Sequence, residues 1–168
     1  MGKVNYMSTF PVALLTLSDS RSEKRGDDVS GSVLRKMVES IGGQIFESKI
    51  IADDPKLISE QLMSWADSGS VALILTTGGT GVGPRDNTPE ATLDVIERTI
   101  PGIVEHMRRE TLASTPNAIL SRQVAGIRGK CLIINLPGSP KGVEECMDSI
   151  SHIIPHALDL IYLENTSH

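Results

Sequence analysis

Hydrophobic residues fall along this chain in short unbroken runs, separated by stretches where they recur at helical spacing. Val12-Ala-Leu-Leu-Thr-Leu17 has the length of a strand and almost no polar alternation, the pattern of a strand covered on both faces in a parallel sheet. From Ser30 onward Val33, Leu34, Met37, Val38 and Ile41 return three and four positions apart until Gly42-Gly43, which predicts a helix with its stop. The same alternation then repeats. Gln44 to Ala52 reads as a second strand, and Pro55 opens a helix whose face is Leu57, Ile58, Leu62, Trp65 and Ala66. Val71-Ala-Leu-Ile-Leu-Thr76 is the third strand and Pro89 to Ile100 the third helix. A βαβαβα order predicts a parallel sheet with helices on both faces.

The second half is patterned less evenly. A helix is expected from Ile103 to about Leu112, ended by Ser114-Thr-Pro-Asn117, while residues 119–128 suit either strand or loop. The apolar residues of that helix, Ile103, Val104, Met107 and Leu112, have no obvious partner in a minimal doubly wound core. Gly126 to Gly129 reads as a turn into Lys130-Cys-Leu-Ile-Ile-Asn135, a fourth buried strand. Ser139 followed by Pro140 is an N-cap with a first-turn proline, opening a closing helix to about Tyr162 that Pro155 should kink or interrupt. No linker, repeat or low-complexity segment divides the chain, so its 168 residues are read as one domain with a core over about 10–162.

Charge and composition narrow the partners. Sixteen basic against 21 acidic side chains leave a net charge of -5, and aromatics make up 3%, which argues against nucleic acid as the main ligand. Cys131 and Cys146 form neither a C-x-x-C pair nor a zinc-spaced set, which points to a reducing, cytoplasmic setting. Lys3 and the apolar run Phe10 to Leu17 lack a small-x-small cleavage site and are not read as a targeting segment. No stretch approaches the ~20 apolar residues of a membrane span. His152 and His156 are four apart, yet Pro155 intervenes and the glutamate of H-E-x-x-H is missing, so no metal pair is expected there.

The chemistry-bearing residues collect just after the strands. Strand one runs into Ser18-Asp19, strand two into Asp53-Asp54, strand three into Thr77-Gly-Gly-Thr-Gly-Val-Gly83 and Arg85-Asp86, and strand four into Asn135-Leu-Pro-Gly138. In an open α/β sheet those C-terminal ends share the edge where ligands bind. Glycines at 78, 79 and 81 allow backbone N–H groups to face an anion at close range, although the loop is neither a Walker motif nor G-x-G-x-x-G. Taken alone, it suits a tight structural turn as well as a phosphate cradle. Asp53 and Asp86 are hard oxygen donors suited to Mg²⁺, which takes one or two carboxylates and completes its shell with water and phosphates. Equally, Asp86 suits pairing with Arg85 or capping the next turn. Ser121, Arg122 and Lys141 add donors for a second anionic group.

The motifs Leu17-Ser18-Asp19, Asp28-Val-Ser30-Gly31, Ile-Ala-Asp53, Thr76-Thr-Gly78-Gly79-Thr80-Gly81, Arg85-Asp86-x-Thr88-Pro89-Glu90-Ala91-Thr92, Leu120-Ser121-Arg122 and Asn135-Leu-Pro137-Gly138-x-Pro140 follow one another in a familiar order. Through them the chain resembles the MogA/MoaB family of molybdenum-cofactor biosynthesis, which includes the G domain of gephyrin, over roughly residues 10 to 160. The resemblance implies a three-layer α/β/α sandwich with a mostly parallel sheet, assembled as a homotrimer that binds molybdopterin. In the MogA branch it further implies adenylylation of molybdopterin with Mg-ATP and release of pyrophosphate, with a molybdenum insertase downstream. On that reading Asp53 and Asp86 are the catalytic pair and hold Mg²⁺. Ser18, Asp19, Asp28, Ser30, Gly78, Gly79, Thr80, Gly81 and Arg85 then contact the substrates. Ser121 and Arg122 seat the molybdopterin phosphate, and Asn135, Pro137 and Gly138 line the pterin side. Two rivals stay open: a MoaB-like trimer that holds the pterin without catalysis, and a CinA-like nucleotide pyrophosphatase on the same fold. Arg85-Asp86, absent from the non-catalytic MoaB type, favours the enzyme.

Overall fold

A computed structural model describes residues 9–18 and 28–163. Strand β1 (Phe10–Leu17) leads to helix α1 (Val29–Ser40), followed by β2 (Gly43–Ile51), α2 (Pro55–Asp67) and β3 (Leu73–Thr77). The short helix α3 (Thr88–Leu93), the two-residue strand β4 (Arg98–Thr99), α4 (Pro101–Thr111) and a 3₁₀ turn (Pro116–Leu120) come next. Strands β5 (Ala125–Arg128) and β6 (Cys131–Leu136) and helices α5 (Pro140–Ile150) and α6 (Ile154–Tyr162) complete the described chain. One six-stranded sheet runs in the order β2-β1-β3-β6-β5-β4. Its first four strands are parallel, and β5 and β4 add antiparallel to the far edge.

Strand residues alternate between two cores, as a period of two requires. Val12 and Leu14 of β1 join Leu34, Met107, Leu132, Val143 and Leu158 on the face covered by α1, α4, α5 and α6. Ala13, Leu15 and Leu17 join Ile58, Leu62, Trp65, Ala91 and Ile133 under α2 and α3. This is the three-layer sandwich with a mostly parallel sheet. From β1 the chain moves outward to β2, then returns across β1 to β3, so the strand order reverses between β1 and β3. Ligands of such sheets sit in the crevice beyond the carboxyl ends at that reversal.

Three local expectations are corrected and one is met. The third helix does not reach Ile100: α3 ends at Leu93, and the following backbone is drawn into the sheet. Glu97 N–H donates to Ile127 O at 2.8 Å and Ile100 N–H to Ala125 O at 2.8 Å, while Val95 is buried in the second core. A Cβ on Gly126 would lie 2.6 Å from Arg98 O, so the absent side chain permits this edge. Gly126 to Arg128 accordingly form β5 rather than a turn, and the reversal to β6 is the two residues Gly129 and Lys130. The closing helix is interrupted, as expected from Pro155. The chain breaks after Ile150, and Pro155 stands in the first turn of α6, where its missing N–H is harmless. Finally, the apolar residues of α4 do have partners within the chain: Val104 and Met107 are buried and Ile103 packs beside them, leaving Leu112 exposed.

Candidate functional site at the strand ends

Three carboxyl strand ends meet at Gly78. Its N–H donates to Leu136 O at 3.3 Å, a Cβ built on it would lie 2.5 Å from Leu17 O, and one on Gly138 would lie 3.3 Å from its Cα. Gly78 and Gly79 both adopt left-handed backbone, with φ of +103° and +63°, which a side chain would strain even without these contacts. The turn is closed by α3, whose Thr88 donates its N–H to Gly79 O at 3.1 Å and its hydroxyl to Gly78 O at 3.0 Å. Thr77 Oγ1 donates to Pro137 O at 2.6 Å and Ser30 Oγ to Gly138 O at 2.8 Å, tying the β6 end and α1 into the same junction.

Both acids found in the sequence face this loop. Asp53, just beyond β2, has its Oδ1 2.9 Å from where a Gly79 Cβ would sit, and Asp86 has its Oδ2 2.9 Å from a Gly81 Cβ. Asp86 Oδ2 accepts the Gly83 N–H at 2.7 Å, which folds the loop back under its own carboxylate. Among the described residues no three His, Cys, Asp or Glu side chains gather into a metal-holding group. The two carboxylates over this glycine turn are the residues that could hold Mg²⁺, an ion that takes one or two carboxylates and keeps water and phosphate ligands.

A cavity of about 450 Å³ opens beside Thr80, Gly81 and Val82, walled by Thr111, Leu120, Gln123, Pro137 and Cys146. A more open polar cleft of about 510 Å³ lies on the other side of Val82, lined by Gly83, Pro84, Asp86, Asn87, Glu90 and Arg122. Burial pushes the Cys146 thiol up to about 11, so at neutral pH the cavity wall there is an uncharged S–H. Glu90 is held below the usual carboxylate range by its hydrogen bond from Arg122.

Other expected site residues have different surroundings. Asp28 caps α1, accepting from Gly31 N–H at 2.9 Å and Thr16 Oγ1 at 2.6 Å. Ser30 is buried, and Ser18 N–H donates to Ile51 O at 3.0 Å. Arg85 is exposed at the tip of the glycine loop, and Asp19 lies outside the described residues. Ser121 borders the cavity, with its hydroxyl donated to Gln123 Oε1 at 2.7 Å. Arg122 turns its guanidinium to the glycine loop, donating to Gly81 O at 2.6 Å, to Asp86 O and to Glu90. Asn135 does not line the mouth. It is wholly buried, donating to Thr76 Oγ1 and Thr92 Oγ1 at 3.0 Å each and accepting from Val124 N–H at 3.1 Å. A strand-end position looks alike in sequence whether its side chain points out or into the layers. Glu90, Gln123 and Cys146 had no assigned role, and of these only Glu90 stood within a recognisable motif.

A family model described as a probable molybdopterin binding domain matches residues 13–156. A molybdopterin adenylyltransferase of Helicobacter pylori strain J99 is 42% identical over 157 residues, covering 92% of this chain and 89% of that one. The molybdopterin adenylyltransferase of Escherichia coli K12 is 40% identical over 146 residues, covering 86% of this chain and 75% of that one. Among solved structures, the molybdopterin biosynthesis enzyme MoaB of Thermus thermophilus superimposes with a TM-score of 0.87 at 42% identity, covering 93% of this chain and 98% of that one.

Proposed function

Because the chain belongs to the family of probable molybdopterin binding domains, we propose that it is a molybdopterin adenylyltransferase of molybdenum-cofactor biosynthesis, a nucleotidyltransferase using ATP. The observation that carries this reading is the pair Asp53 and Asp86 over one glycine loop, which itself borders a cavity and a more open polar cleft. Relatives that bear this name at 40% and 42% identity support it.

In the reaction an oxygen of the molybdopterin phosphate attacks the α-phosphorus of ATP. A new P–O–P bond forms to AMP, the α–β bond breaks, and pyrophosphate leaves with the electron pair. Such a transfer asks for alignment and charge neutralisation rather than covalent help. The cavity takes the pterin, while the more open cleft at Val82 takes the nucleotide. Amides of the turn beyond Gly78, whose own N–H is taken by Leu136 O, face the anionic groups where the two substrates meet. Asp53 and Asp86 are the residues that would hold Mg²⁺, which would supply positive charge to offset that of the phosphates. A homotrimer is part of the reading, and it would cover Leu112, Ile119 and Leu120, which lie exposed along the end of α4 and the 3₁₀ turn. No helix among the described residues is long and apolar enough to cross a membrane, in keeping with a cytoplasmic enzyme.

The test is to mix purified protein with molybdopterin, ATP and Mg²⁺ and follow adenylylated pterin and pyrophosphate. Formation of both supports the reading. Pterin binding without product leaves a binding-only protein in its place. Light scattering near three times 18.1 kDa supports the trimer, and a monomer at micromolar concentration removes it.

Gly81→Ala separates the loop's chemical role from its role as a turn. Gly81 does not need left-handed backbone, but its new methyl would meet Asp86 Oδ2 at 2.9 Å and push that carboxylate aside. We expect adenylylation to fall about tenfold, equivalent to roughly 1.4 kcal/mol in the barrier. Thermal stability should move by no more than about 2–4 °C. A matched loss of stability and activity would show that the turn itself was the sensitive feature.

A further inference from the structure

Arg122 was expected to bind substrate phosphate, yet its side chain is committed to protein. Nε donates to Gly81 O at 2.6 Å, one terminal nitrogen donates to Asp86 O, and the other pairs with Glu90 Oε1. Gly81 and Asp86 stand on opposite limbs of the glycine loop, and Glu90 stands on α3, which the loop leads into. One planar guanidinium thus bridges both limbs and the following helix.

Arg122 is itself held from behind. Its N–H donates to Thr80 O at 2.9 Å, and Arg108 of α4 donates from Nε to the neighbouring Ser121 O at 3.1 Å. On the other side, the buried Gln123 accepts from Ser121 Oγ and donates from Nε2 to Asn135 O at 3.1 Å. The segment 121–123 is therefore fastened to α4 and to β6 before its arginine reaches the loop. Within the loop, the Gly83 N–H to Asp86 Oδ2 bond sets where the Asp86 carboxylate points once the two limbs are fixed. A lysine at this position keeps one charge but cannot reach three acceptors in one plane.

We propose that Arg122 and Glu90 form a positioning clamp that fixes the two limbs of the glycine loop and so aims the Asp86 carboxylate for adenylyl transfer. The proposal rests on the adenylyltransferase reading for its catalytic consequence, while the clamp itself is a statement about loop order. Arg122 acts through Asp86 and does not touch the pterin. Glu90 supplies the countercharge that keeps the guanidinium turned toward the loop.

The test measures Arg122→Lys and Glu90→Gln in the full chain by amide hydrogen exchange and by kinetics. Exchange across residues 78–87 should quicken about tenfold or more in Arg122→Lys and by less in Glu90→Gln, with core strands unchanged. Turnover should fall about tenfold or more in Arg122→Lys, because small misplacement of a reacting group is costly, with KM for molybdopterin near the wild-type value. Unchanged loop exchange in both variants overturns the clamp. A raised KM for molybdopterin or for ATP with normal loop exchange overturns it too, by making Arg122 a substrate contact. If Arg122→Lys loosens the whole molecule, Glu90→Gln decides: local quickening at 78–87 supports the clamp, and none overturns it. Absence of adenylylation by the wild-type protein would remove the catalytic reading, while the exchange arm would still decide whether the clamp exists.

Discussion

Asp86→Asn is expected to lower adenylylation by about 10²–10³-fold, the usual scale for removing an electrostatic stabiliser of a transition state. The asparagine keeps an oxygen that can accept the Gly83 N–H, now made at 2.7 Å, so the loop retains its shape while losing the charge. Molybdopterin affinity should stay within about threefold, because the charge matters most when negative charge spreads over the transferring group. Asp53→Asn should behave alike. Both carboxylates hang over the same turn, at Gly79 and Gly81, and would act on one charge-neutralising site. The double variant should therefore lose much less than the product of the single losses. Arg85→Ala tests the alternative in which Asp86 only pairs with Arg85: on that alternative both substitutions leave turnover within a few-fold of wild type. Near-normal adenylylation by Asp86→Asn would discard the carboxylate pair as the catalytic centre.

Asn135→Ala is expected to act on stability instead. The carboxamide makes three hydrogen bonds with Thr76, Thr92 and Val124, joining β3, α3 and the start of β5 through the middle of the molecule. Removing it leaves the half-buried Val124 N–H without its acceptor and two buried threonine hydroxyls without their donor. At about 1 kcal/mol or more for each, the loss is about 3 kcal/mol. For a domain of this size that lowers the melting temperature by about 6–12 °C. KM for molybdopterin should barely change at a temperature where the variant is folded. A raised KM with unaltered melting would return Asn135 to the pterin side, where strand-end position alone had placed it.

The contrast between Asp86 and Asn135 shows where sequence reasoning reaches its limit. Both lie just past or at the end of a strand, both carry polar oxygens, and both fall in motifs shared with one family. Asp86 sits half-buried on a loop after the strand, outside the packed layers, and its proximity to Gly81 follows from a short connection. Asn135 is still inside β6, where alternation turns it toward α3 and the layers close over it. Arg122 makes the same point from the other direction. A lone basic residue within an ambiguous stretch suggested an anion contact, whereas three acceptors from the loop and α3 had already engaged it.

Local pattern was enough for the parallel half of the sheet, the paired helices and the gathering of Asp53, Asp86 and the glycine turn at one edge. Those features depend on hydrophobic period, on capping residues such as Asp54 and Ser139, and on the rule that crossover connections carry strand ends to the same side. Each is decided within a few residues or by chain direction. Tertiary structure decided the remainder: that 98–99 leave a helical pattern to pair with β5, that 126–128 are strand rather than turn, and that Arg122 faces the loop. Two-residue strands carry almost no periodic signal, and an edge pairing becomes favourable only when a partner backbone is already in place. A guanidinium likewise has no preferred direction of its own. Its acceptors lie up to 41 positions away in the chain, and only the closed sheet brings them within reach.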